Sequence, residues 1–228
     1  MKHITTILLA TVAAAGLMSS AYAADLIIEE PAEVGVVDVS GSWDGAFIGA
    51  FVGAGWGLAD HEYGGVGPGN DVDLSGWLAG VDIGYNFTVG SGLVLGVVAD
   101  IAWSNLSGTN DTPPVGGFDE VSQDIDWMGS LRGRVGFDGG AFLPYLTAGL
   151  AVAHSNRETV GFASEFDNTH VGWTVGAGVE FAVSEELSID LLYRYSDYGS
   201  EVYNPSPLTV PVVGLTTHTI QAGLHWNF

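Results

Sequence analysis

The chain contains no cysteine, and only five of its 228 residues are lysine or arginine, against 27 aspartates and glutamates. The first absence excludes a disulfide framework and thiolate chemistry, but does not fix the compartment. The scarcity of cations excludes a nucleic-acid partner, since so acidic a surface repels a phosphate backbone. It equally excludes electrostatic adhesion to anionic lipid as a peripheral protein. Beyond the N-terminus no apolar run approaches the roughly 20 residues that a membrane-spanning helix requires. Hydrophobic residues nevertheless make up 47% of the chain, alongside 34 glycines, so the apolar content is dispersed in short pieces.

The N-terminal exception is short. Lys2, an apolar run over 4–17 and the small-residue exit Ala21-Tyr22-Ala23 have the layout of a secretory signal peptide, residues 1–23. The competing reading, a single membrane anchor, needs a longer run. Loss of Lys2 with this leader takes the formal net charge from −22 to −23, leaving Arg132, Arg134, Arg157 and Arg194. Residues 24–42 are acidic and broken by Pro31, Gly35 and Gly41, and read as a flexible lead-in.

From there one pattern repeats. Segments 45–57, 75–87, 93–104, 125–137, 144–154, 171–181, 187–197 and 217–228 alternate with period two, the signature of strands whose faces meet different surroundings. In 75–87, Trp77, Ala79, Val81, Ile83, Tyr85 and Phe87 oppose Gly76, Gly80, Asp82, Gly84 and Asn86. Alternation is less clean in 45–57, where Phe47 and Phe51 share the glycine face, and in 144–154. Short connections (88–92, 138–142, 182–186) alternate strictly with long polar ones (58–74, 105–122, 155–170, 199–216). This is the order of an up-and-down barrel with short periplasmic turns and long external loops.

A soluble sandwich or barrel would turn its apolar faces into a core. Two features favour lipid instead. Trp56, Trp77, Trp103, Trp127, Trp173, Tyr85, Phe87, Phe137 and Phe181 crowd the ends of the apolar faces like two interfacial girdles. The opposite faces are glycine-rich with isolated charges of both signs. The expected fold is therefore all-β: an eight-stranded antiparallel transmembrane β-barrel over 43–228, preceded by a periplasmic segment over 24–42.

With lipid outside, Asp82, Asp100, Asp124, Asp126, Arg132, Arg134, Glu180, Asp190 and Arg194 point into the lumen. Buried carboxylates need partners, and a guanidinium can satisfy two of them with directed hydrogen bonds, so an internal bracing network is expected. An ion path through the same groups is the alternative, although eight strands enclose little more than their own side chains. At the C-terminus, Leu224, Trp226 and Phe228 form an apolar end-strand pattern that reads as an assembly signal for the barrel-insertion machinery.

No arrangement of Ser, His and Asp supports catalysis, and no enzyme activity is expected. His154 and His170 flank the third long connection and, with His218 and His225, read as polar residues near the aqueous rim. Asp60, His61, Glu62, Asp71 and Asp73 offer ligands for a hard divalent cation, but without an EF-hand spacing. His61 is also the candidate axial ligand should the loops capture haem. Neither metal nor cofactor is assigned.

The stretches WDGAFIGAFVGAGWG (43–57), PYLTAGLAVA (144–153), GWTVGAGVEF (172–181), LLYRYSDYG (191–199) and HTIQAGLHWNF (218–228) carry a family resemblance. The chain resembles the small alphaproteobacterial outer-membrane barrels related to the major surface proteins of Brucella and rhizobia, within the OmpA-like eight-stranded group. Phe47 stands where that family more often has tyrosine. The resemblance implies a surface-exposed protein of envelope integrity and supplies no catalytic residues. The expected role is a monomeric structural barrel in contact with outer-membrane lipid and lipopolysaccharide. The alternatives are a narrow porin and a surface binding or adhesion protein.

Overall fold

The computed structural model describes residues 43–63, 71–110, 121–159, 165–202 and 211–228; the signal peptide and lead-in read over 1–42 lie outside them. Eight strands follow one another: β1 (Gly45–Tyr63), β2 (Val72–Val89), β3 (Leu93–Asn110), β4 (Val121–Phe137), β5 (Phe142–Thr159), β6 (Glu165–Ala182), β7 (Leu187–Val202) and β8 (Pro211–Asn227). Each pairs antiparallel with the next, and β8 returns to β1 from Phe47↔Asn227 to Tyr63↔Pro211, closing the barrel. Within the apolar belt closure leaves no strand edge unpaired, which a hydrocarbon environment demands. The first short turn uses Gly90 (φ 64°) and Gly92 (φ 112°), in the left-handed region that other residues rarely adopt.

The outward faces bear the apolar residues. Val52, Ile83, Val97, Leu131, Leu150 and Leu224 are each about half exposed or more. Trp56, Trp77, Trp103, Trp127 and Trp173 ring the end near the long connections, while Tyr85, Phe87, Phe137, Phe181 and Trp226 ring the other. Partners on one strand, such as Trp77 and Tyr85 or Trp127 and Phe137, lie eight to ten residues apart. At about 3.3 Å per residue and about 40° of tilt, this spans about 20–25 Å, the height of an outer-membrane apolar belt.

The strands run 16–19 residues, well past the ends read from sequence. Much of what reads as long polar loops is strand rising above the tryptophan girdle. There the alternation inverts. On β2, Val72, Leu74 and Leu78 point inward and are at most 2% exposed, while Asp73 and Ser75 face out. Leu106, Ile125, Met128, Tyr198 and Leu215 join them in one buried apolar cluster. The barrel is thus apolar outside within the belt and apolar inside above it. The outer face changes solvent from lipid to water at the tryptophans, and the residue pattern changes with it.

One irregularity matters. Between Trp103↔Trp127 and Leu106↔Ile125, two residues of β3 face one of β4; between Ile125↔Ser155 and Trp127↔His154, Asp126 is an extra residue against β5. These β-bulges shift the phase of β4. Ile125, read from sequence as lipid-facing, is turned inward and 1% exposed.

Candidate functional site

The lumen within the apolar belt is crossed by charge. On β3, Asp100 binds Arg132 of β4 at 3.0 Å and Arg194 of β7 at 3.0 Å, and also accepts a hydrogen bond from Ser130 Oγ. Arg134 reaches Glu180 of β6 at 2.7 Å. Its guanidinium lies 4.1 Å from the ring centroid of Tyr145, whose hydroxyl donates to Asp190 at 2.7 Å. Glu180 takes a further bond from Ser188 Oγ at 2.5 Å. These side chains are almost wholly buried, so an unpaired charge among them would cost several kcal/mol; every carboxylate here has a donor.

Of the residues read as inward, the structure brings together Asp82, Asp100, Arg132, Arg134, Glu180, Asp190 and Arg194. Asp126 is a correction. The bulge turns it outward, where it is exposed and accepts a hydrogen bond from Asn156 Nδ2. Asp124 likewise sits on the outer side of β4, bonded by Ser122 Oγ at 3.3 Å; Gln123 and Ile125 take the inward places.

His225 is a second correction: it lies in the network and not at the rim. One ring nitrogen is 3.1 Å from Glu180 and the other 3.3 Å from Asp82. Both neighbours are carboxylates, which only accept when ionised, and only a ring carrying both protons donates to both. Four carboxylates thus face three guanidiniums and one imidazole. The available signal was charge: the glycine-rich faces held one more acid than base once Asp124 and Asp126 were set aside, and His225 sat on such a face.

Aromatic rings fill the space the glycines leave. Phe47 lies against Gly84 and Phe51 against Gly80, while a Cβ on Gly178 would fall 2.5 Å from the Tyr145 ring. Among these side chains, beside Asp82, Arg134, Tyr145 and His225, lies a cavity of about 20 Å³, room for about one water. Above the network lies the apolar cluster, tied across by Tyr198 Oη to Met128 Sδ at 3.3 Å. Below it Trp43, Val94 and Leu143 pack across the periplasmic end, with Trp43 Nε1 donating to the Gly140 carbonyl at 3.2 Å.

The remaining histidines separate. His154 faces out and stacks on Trp127 with ring centroids 5.8 Å apart, whereas His170 on β6, paired with Ala153, is buried inside. His218 belongs to the outer girdle, stacked on Trp56 at 5.5 Å and bonded to Tyr193 Oη at 2.8 Å. Asp60, Asp71 and Asp73 are exposed; the side chains of His61 and Glu62 lie outside the described residues. Among the described residues no group of three or more His, Cys, Asp or Glu is arranged to hold a metal ion. At the C-terminus Leu224, Trp226 and Phe228 all face outward, and the Phe228 amide donates to the Ala46 carbonyl at 2.9 Å.

A closed antiparallel barrel with an apolar belt between aromatic girdles is an integral outer-membrane β-barrel protein. The chain belongs to the family described as outer membrane protein beta-barrel domain, which matches residues 9–228. It is 32% identical over 230 residues to the 25 kDa outer-membrane immunogenic protein of Brucella abortus, covering 100% of both chains. It is 37% identical over 169 residues to the 22 kDa outer membrane protein of Rhizobium leguminosarum bv. viciae, covering 74% of this chain and 70% of that one. Among solved structures, Neisserial surface protein A matches 78% of this chain and 97% of its own at 20% identity, with a TM-score of 0.46.

Proposed function

We propose that this protein is a non-enzymatic structural barrel of the outer membrane, bracing the envelope and presenting an acidic outer wall rather than conducting solutes. The observation that carries the reading is the filled lumen: an ion-paired layer between two apolar layers. A permeating ion would have to displace Arg–carboxylate contacts and pass a layer of packed Leu, Ile, Met and Tyr side chains. Above the girdle the described outward side chains include Asp60, Asp71, Asp73, Asp124 and Asp126 and no lysine or arginine, which supports the acidic-surface part of the reading.

The test is conductance of the full chain in planar lipid bilayers. The expected record is a baseline without reproducible unitary steps. Steady openings of uniform amplitude would instead assign the protein as a narrow porin.

A further inference from the structure

Four charged groups of the lumen form a chain that nearly closes on itself. Arg134 Nη2 on β4 donates to Glu180 Oε2 on β6 at 2.7 Å. The other oxygen of Glu180, Oε1, lies 3.1 Å from His225 Nδ1 on β8. The second ring nitrogen, Nε2, lies 3.3 Å from Asp82 Oδ2 on β2. One link is open, from Asp82 back to Arg134. The atoms that face this gap in the chain, Asp82 Oδ1 and Arg134 Nε, have no hydrogen-bond partner among the described residues. Their side chains are only 9% and 2% exposed, and polar atoms buried so deeply are costly to leave short.

Both residues line the cavity of about 20 Å³. A water needs at least about 10–15 Å³ of such space and about two to four polar partners. The backbone of β1 makes way for the group: a Cβ on Gly49 would fall 2.3 Å from Asp82 Oδ1 and equally close to His225 Cδ2. Glycine there lets the carboxylate and the imidazole lie against the wall and keeps the space beside them.

Charge then selects the occupant. Arg132 and Arg134 line the cavity and oppose a bare cation, while Asp82 and Asp190 line it and oppose a bare anion. An ionised carboxylate only accepts, and a guanidinium N–H only donates. The occupant must therefore accept from one side and donate to the other, carry no net charge and fit the space of one small molecule.

We propose that this cavity is a built site for one water molecule, which accepts from Arg134 Nε–H, donates to Asp82 Oδ1 and closes the chain into a ring. The ring takes one side chain from each of β2, β4, β6 and β8, every second strand of the barrel. No backbone ladder joins any two of these strands. The water thus completes a hoop inside the wall, held by side chains alone. The site stands whether or not the barrel conducts, which the bilayer record decides separately.

The test is a crystal structure of the full chain, folded in detergent, at a resolution that shows ordered water. The expected result is a single density peak at about 2.7–3.2 Å from both Arg134 Nε and Asp82 Oδ1. Crystals soaked with rubidium in place of sodium, or bromide in place of chloride, should give no anomalous signal there. Val98 lines the same cavity, so Val98→Leu, larger by a methylene, should fill the space and lose the peak. Gln123→Leu, higher in the lumen, should keep it. A parent structure without the peak overturns the proposal. An anomalous signal in the cavity overturns it too, by assigning the site to an ion. A peak that persists in folded Val98→Leu places the water elsewhere and has the same force. Should Val98→Leu fail to fold, the parent structure and the two soaks decide.

Discussion

Arg194 on β7 and Asp100 on β3 stand halfway round the barrel from each other, and their side chains meet at 3.0 Å across the lumen. The bond links walls that share no backbone ladder, so it braces the cross-section in a direction the sheet cannot.

Removing Arg194 should therefore weaken the barrel. Arg194→Ala is expected to lower unfolding stability by about 3–5 kcal/mol, the usual cost of leaving a buried partner short. Asp100→Ala should cost more than Arg194→Ala, because it strands Arg132 as well. Asp126→Ala, exposed on the outer wall, should stay within about 0.5 kcal/mol. Urea unfolding in micelles measures all three, and equal midpoints for Arg194→Ala and Asp126→Ala would contradict the bracing role.

Glycine should be irreplaceable where a ring needs its space and replaceable where a Cβ would meet none. A Cβ on Gly84 would fall 2.3 Å from the Phe47 ring, whereas one on Gly133 has no neighbour nearer than 3.9 Å. Gly84→Ala is expected to destabilise by about 1–3 kcal/mol through overpacking, with Gly133→Ala near the parent. The comparison is made by thermal unfolding followed on the tryptophan fluorescence.

The girdles predict membrane depth. A chain retaining only Trp103 should be quenched strongly by lipids brominated close to the headgroup and weakly by those brominated near the chain end. One retaining only Trp43, 4% exposed at the periplasmic end of the lumen, should respond little to either. Strong quenching of Trp43 would place it on the lipid side.

Phe228 bears on assembly more than on the finished barrel. Its ring is 72% exposed, so Phe228→Ala should leave the unfolding midpoint of purified barrel within about 0.5 kcal/mol of the parent. In cells the same variant should accumulate less folded barrel in the outer membrane, scored by the gel shift between heated and unheated samples. Unchanged accumulation would remove the C-terminal residue from the insertion signal.

Strand number, order and lipid-facing sides were legible because lipid imposes one rule on every outward residue of the belt, and the girdle tryptophans mark where that rule begins. Strand ends were not. Above the girdle Leu74, Leu106 and Leu215 turn inward while their neighbours face water, so a rule followed from the belt loses its phase and the residues look like loop. Asp126 was misplaced for a related reason: a single extra residue reverses the faces of β4 locally, and nothing in IDWMG announces it. Arg132, Arg134 and Arg194 could be placed because arginine is rare here and the strand phase at each is unbroken. His225 had the phase but not the weight, since a lone histidine beside a chain end looks ordinary until its two carboxylates are located.

The pairing of β1 with β8 gives the chain a built-in test of completeness. Gly45 begins the strand that Asn227 must finish, so a product truncated before β8 has nothing with which to cover its first strand. It exposes two open edges and loses the His225 donor that Asp82 and Glu180 share. Closure of the barrel is thereby made to depend on β8 as much as on β1.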